Sequence, residues 1–191
     1  MKNKTHSKKA FTLIELLMVI AIIGILAGIL IPTVNTVRKQ ANIAASKSQL
    51  SNYVTAIQMF KGEYGFYPFV TGNSDTTVDL ASKSTEFIET LSARKATSGS
   101  KVSIGGNRRQ INFHSFGESE FFINDADVVQ PTQIADRFNN IKLFIAIDGN
   151  GDGLLSVPFS AGTGRKQLKS EVTAYVEDDS RINAPAYSLY D

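Results

Sequence analysis

The chain has 191 residues, 42% of them hydrophobic, a size and composition suited to one anchored domain rather than two independent ones. With no cysteine it has no disulfide, no thiol catalysis and no thiolate metal site. Its 20 basic and 18 acidic residues give a formal net charge of +2, but four of the cations (Lys2, Lys4, Lys8, Lys9) lie in the first ten residues without an acid, and the remaining sixteen against eighteen leave −2, which makes no global electrostatic case for nucleic acid or anionic lipid.

After this basic start come Phe11-Thr12-Leu13-Ile14-Glu15 and an apolar segment interrupted by Gly24, Gly28 and Pro32, with no charged side chain between Glu15 and Arg38. About 20 apolar residues at 1.5 Å rise cover the ~30 Å of a bilayer's hydrocarbon, so this stretch is long enough to span one. The basic flank places the N-terminus in the cytoplasm and everything after the span on the other side. Glu15 is the anomaly, because a carboxylate at the edge of an apolar phase needs a neutralising partner. A secretory signal would have a shorter apolar core and a small-residue cleavage site after it, which Pro32-Thr33-Val34 does not supply.

The run from Lys8 to Leu17 resembles the processing junction of the type IV pilins and the pseudopilins of type II secretion, and the resemblance extends over roughly residues 8–68. It implies a leader of residues 1–10, cleavage between Ala10 and Phe11 by a prepilin peptidase, and N-methylation of Phe11. Alanine stands here where that family usually has glycine before the cut. The resemblance also implies that Glu15 meets the new amine of Phe11 on a neighbouring subunit.

From Phe11 to about Lys61 the pattern predicts one long helix, a transmembrane part over 11–34 and an amphipathic continuation over 35–62. In the second part Val34, Val37, Ala41, Ala44, Leu50, Val54, Ile57 and Phe60 recur at three- and four-residue steps, forming a stripe to pack on a globular domain of residues 63–191. Pro32 lacks a backbone donor and is expected to kink or locally stretch the helix, with Gly24 and Gly28 adding softness or a close-approach face. The helix should stop within Gly62 to Pro68, a passage similar to the helix exit of major pseudopilins.

Residues 69–82 and 96–109 read as loops, and 84–95 as a helix with Phe87, Ile88 and Leu91 on one face. Strands are expected at 111–116, 141–147, 154–157, 172–176 and 186–190, making a small antiparallel sheet against the long helix. The fold class is α+β, a rod with a globular head.

Asp148-Gly149-Asn150-Gly151-Asp152-Gly153 matches the first half of a calcium loop, where oxygens at positions one, three and five converge on a hard cation and the glycine at six permits the turn. Leu154 would add a carbonyl and Ser156 an oxygen. Phe159 stands where the bidentate glutamate of such a loop belongs, leaving Glu171, Asp178 or Asp179 to complete the shell. Major pseudopilins carry calcium near their C-terminus, though with a different local motif. The alternative is a hairpin turn between the strands at 141–147 and 154–157, since Asn-Gly and Asp-Gly favour positive φ.

His114, between Phe113 and Phe116, is expected to be structural, because neither a Ser/His/Asp nor a Cys/His set can be assembled around it. Gly105-Gly106-Asn107-Arg108-Arg109 is a basic loop without the Lys-Ser or Lys-Thr of a phosphate loop.

The resemblance implies a non-enzymatic structural subunit of a type II secretion filament assembled at the bacterial inner membrane. Its partners would be copies of itself, other pseudopilins, an assembly platform and an ATPase. A type IV pilus subunit serving adhesion, motility or DNA uptake is the alternative, and a membrane-anchored enzyme a remote one. The only cofactor expected is calcium.

Overall fold

A computed structural model describes residues 11–158 and 164–190. The chain divides into two compact units, one through Ala41 and one from Asn42 onward.

Helix α1 (Leu13–Tyr64) runs unbroken for 52 residues. It stays helical through Pro32: the proline removes one donor, and the Thr33 hydroxyl donates to the Ile29 carbonyl at 2.7 Å in the same turn. It ends where Gly65 takes φ +79° and donates its amide to the Lys61 carbonyl, a left-handed cap open to glycine at little cost.

In the second unit the buried stripe of α1 is Ser46, Gln49, Leu50, Tyr53, Ala56, Ile57 and Phe60. This corrects the expected stripe: Val34, Val37, Ala41 and Ala44 are exposed and Val54 is half-buried. Apolar periodicity alone misplaced the seam, because two polar residues occupy it with hydrogen-bond partners. Gln49 Nε2 donates to the Tyr53 hydroxyl and to the Ala135 carbonyl, and the Ser46 hydroxyl accepts from the Arg137 amide. Buried polar groups persist where they are paired in this way.

Strand β1 (Thr76–Asp79) leads directly into helix α2 (Leu80–Ser92), whose first turn is capped by the Asp79 carboxylate accepting from the Ala81 amide at 2.8 Å. Helix α2 therefore starts four residues earlier than expected, and buries Leu80, Phe87, Ile88 and Leu91. Next come β2 (Phe121–Ile123), β3 (Val129–Ile134), β4 (Leu143–Ile147), β5 (Leu154–Pro158), β6 (Arg165–Lys169), β7 (Val172–Val176) and β8 (Tyr187–Ser188). The main antiparallel sheet has the order β1-β4-β7-β8, with β2-β3 and β5-β6 as separate two-stranded pairs.

One face of the main sheet, carrying Leu143, Ile145, Ile147, Val172, Ala174 and Val176, shares a core with α1 and α2. The other face carries Ala146 against Leu155, Val157, Leu168 and Tyr190, so the β5–β6 hairpin covers it. The α+β class holds, with corrections: residues 111–116 form no strand, while β1, β2, β3 and β6 were not foreseen. Phe113 and His114 instead donate their amides to the Leu91 carbonyl at the end of α2.

Candidate functional site

Fourteen large apolar side chains between Phe11 and Leu30 are exposed, including Phe11 itself at 76%. At ~1.5–3 kcal/mol each for leaving water, burying them is worth roughly 20–40 kcal/mol, so this surface belongs against lipid or other helices. By length and composition the helix can cross a membrane. An added Cβ at Gly24 or Gly28 would meet nothing within 4 Å, so both lie on an open face.

Glu15 has an intramolecular role that charge reasoning missed. Its Oε2 accepts from the Thr12 amide at 2.8 Å and the Thr12 hydroxyl at 2.7 Å, while the Glu15 amide donates back to the Thr12 hydroxyl at 3.3 Å. This is a capping box, legible in the sequence as Thr-x-x-Glu ahead of an apolar run. Among the described residues all of these carboxylate bonds fall on Oε2. Ala10, the residue before the expected cut, lies outside the described residues.

The Asp148 loop is not a hairpin turn. Strand β4 pairs with β1 and β7, and β5 pairs with β6, so the loop connects the main sheet to the covering hairpin. Asp148 is 4% exposed and turned inward, its two oxygens accepting from the Gly151 amide at 2.6 Å and the Gly153 amide at 2.7 Å. Asn150 and Asp152 each accept a backbone amide two residues on. Gly149 is required by close approach, since a Cβ there would stand 2.1 Å from the Ser74 carbonyl oxygen.

Of the residues expected to supply or complete a cation shell, Ser156, Glu171 and Asp179 are turned to other partners. The Ser156 hydroxyl accepts from Arg165 at 3.1 Å, Glu171 accepts from the Tyr67 hydroxyl and pairs with Lys61, and Asp179 pairs with Arg181, which holds its carboxyl down at about 2. Among the described residues no three His, Cys, Asp or Glu side chains gather to hold a metal. Phe159 lies outside the described residues. The loop's shape is accounted for by the bonds from its own backbone amides to its side-chain oxygens.

His114 is structural in its surroundings. Its Nε2 lies 3.0 Å from Glu120 Oε2, its ring stands edge-on to Tyr53 at 5.1 Å, and Glu120 also accepts from the Tyr53 hydroxyl at 2.7 Å and the Gly117 amide at 3.1 Å. In the basic loop Asn107 is fully buried and ties the loop to the Tyr64 hydroxyl and the Thr90 carbonyl, while Arg109 pairs with Glu63 and Arg108 stays exposed. An open cleft of about 560 Å³ lies between residues 66–71 and β1; of the charged residues lining it, Lys83 and Glu86 pair with each other at 3.0 Å and Asp79 caps α2.

Residues 5–31 match the family described as the prokaryotic N-terminal methylation motif. The chain is 39% identical over 102 residues to the type IV wide pilus major component PilA4 of Thermus thermophilus, a match covering 53% of this chain and 76% of that protein. It is 34% identical over 63 residues to the type II secretion system core protein G of Pseudomonas aeruginosa, covering 33% of this chain and 44% of that one. No solved structure matches. The capped apolar helix, the α+β unit built on its second half and these similarities converge: the chain belongs to the type IV pilin and pseudopilin family, whose members are structural subunits.

Proposed function

We propose that this chain is a membrane-anchored structural subunit of a helical filament, made competent by removal of residues 1–10. The observation that carries the reading is the exposed apolar face of α1 headed by the Thr12–Glu15 box, a surface with no partner among the described residues. Neighbouring subunits bury that face, and the cationic amine of Phe11 on one copy meets the Glu15 carboxylate of the next. The division is then leader 1–10, filament-core helix 11–34, amphipathic continuation 35–62 and exported domain 63–191, in a single-pass inner-membrane protein with a cytoplasmic N-terminus. Prepilin peptidase, platform protein and ATPase are the partners this reading requires.

A type IV pilus is the reading taken first, supported by the longer similarity to a wide-pilus component. A type II secretion pseudopilus is the second, supported by the similarity to core protein G. Intact-mass and N-terminal analysis of the protein from its native host tests the common part. Mature chains are expected to begin at an N-methylated Phe11 and to appear in filaments sheared from cells, and recovery with residues 1–10 attached overturns the proposal.

Calcium at the Asp148 loop is a separate proposal, supported by the acid spacing alone. Asp148→Ala strands two loop amides and should lower stability by about 1–3 kcal/mol. The same loss with or without chelator, read as the melting temperature of the exported domain, would overturn the calcium and leave the loop held by its own amide bonds. A chelator-induced drop in the wild type that is absent from Asp148→Ala would establish the cation instead.

A further inference from the structure

We propose that the globular unit carries two opposed charged surfaces that engage each other on neighbouring copies of this chain, a cationic loop at 94–109 and an acidic hairpin tip at 124–128. The proposal rests on the filament-subunit reading above and names the contact outside the helical core.

Charge is segregated along the chain. Residues 90–117 hold five cations (Arg94, Lys95, Lys101, Arg108, Arg109) and no acid, whereas residues 118–136 hold five acids and no cation. All five cations are exposed, as are Glu118, Asp125 and Asp127. Among the described residues Arg109 pairs with Glu63, and no ion pair is recorded between the two segments through these exposed groups. The subunit thus leaves both surfaces short of counter-charge.

Both surfaces are ordered in advance. Buried Asn107 pins the loop to Tyr64 and Thr90, and a bridge joins Arg94 to Lys101. At the hairpin tip Asn124 accepts the Ala126 and Val128 amides, and Asn139 clasps both backbone groups of Ile123. Each also has an apolar flank, with Phe66 (49% exposed) beside Gly106 and with Ile123 (43%) and Val128 (53%) beside the acids. Preorganised patches of opposite sign with apolar flanks fit one another.

The contact proposed is head-to-tail. The Arg108–Arg109 end of the loop is rooted at Glu63 and Tyr64, and the hairpin at Ser46 to Tyr53 through Arg137, Ala135 and Glu120. These roots are separated by 10 to 18 residues, about 15–27 Å along a helix rising 1.5 Å per residue. A two-fold contact would pair each patch with its opposite twice over and close as a dimer, whereas a growing filament needs a contact that leaves one patch free at each end. A heterologous contact between displaced patches repeats without closing and generates an open helical array.

The test uses the full chain in its host. Lys101→Glu with Arg108→Glu, and separately Asp125→Lys with Asp127→Asn, are each expected to lower the share of subunit recovered in sheared filaments about tenfold at unchanged total abundance. Combining all four should restore it to within about threefold of wild type. Because the natural chain lacks cysteine, Arg108→Cys with Asp125→Cys in one chain gives a second readout, an oxidised ladder extending beyond dimers that neither single cysteine produces. Charge variants that polymerise like wild type, a combined variant no better than the worse of its parents, or no ladder from the double cysteine chain overturns the contact. If wild-type chain never appears in filaments, it is the subunit reading that fails.

Discussion

Glu15→Gln is expected to yield a folded, cleaved subunit that is shut out of filaments. Glutamine keeps an oxygen able to accept from the Thr12 amide and hydroxyl, so the capping box survives while the charge is lost. Glu15→Val removes both, adding about 0.5–2 kcal/mol of lost capping. If the carboxylate meets a neighbour's terminal amine away from water, breaking the pair costs ~3–5 kcal/mol, or roughly two to three and a half orders of magnitude in incorporation. The readout is the ratio of filament to membrane-bound subunit, with N-terminal analysis as the processing control. If Glu15→Gln assembles normally while Glu15→Val does not, the residue acts as a cap and the charge latch is wrong.

The second large effect is expected at Glu120, whose side chain is 14% exposed. Glu120→Ala leaves the buried Tyr53 hydroxyl, His114 and the Gly117 amide without their shared acceptor. At ~1–3 kcal/mol for each group stranded, a loss of about 3 kcal/mol is the central expectation, lowering the melting temperature of the compact unit from Asn42 onward by roughly 6–12 °C. Burial pushes the Glu120 carboxyl up, but hydrogen bonds from His114, Tyr53 and the Gly117 amide outweigh it, so it titrates below its ordinary value of 4.5. A carboxyl depressed in the folded state contributes stability at pH above that ordinary value and loses it as pH falls through the folded one. Glu120→Gln should therefore flatten the acid limb of the stability profile.

Asp136 has the opposite sign. Burial raises it above 3.8 against bonds from Tyr187, Asn140 and Phe138, so its contribution is present at low pH and is lost as pH rises through its folded value. Thermal melts across the acid range separate the two, since only the Glu120 contribution disappears in Glu120→Gln. An acid limb unchanged in that variant would show that the network does not set the domain's acid stability.

Residues 11–65, about a third of the chain, were legible before any tertiary contact was known. The Phe11–Glu15 signature, the uncharged apolar run and the glycine stop at Gly65 are local features, and local features fix a helix because its hydrogen bonds close within four residues. Even the capping box was present as Thr12-x-x-Glu15. The hydrophobic strands β4, β5 and β7 were legible for a similar reason, since each carries its own apolar pattern.

What only the tertiary structure decided depends on partners far along the chain. Thr76–Asp79 lies in a polar stretch and becomes a strand by pairing with Phe144–Ile147. Arg165–Lys169 is highly charged and becomes a strand because Leu154–Pro158 supplies its ladder and Leu168 turns to the sheet while its neighbours stay in water. Gln49 and Ser46 enter the seam of α1 because the Ala135 carbonyl arrives to accept from Gln49 Nε2 and the Arg137 amide to donate to the Ser46 hydroxyl. Strand pairing and buried polar contacts are non-local, so side-chain pattern nominates candidates for them and the assembled fold selects which are used.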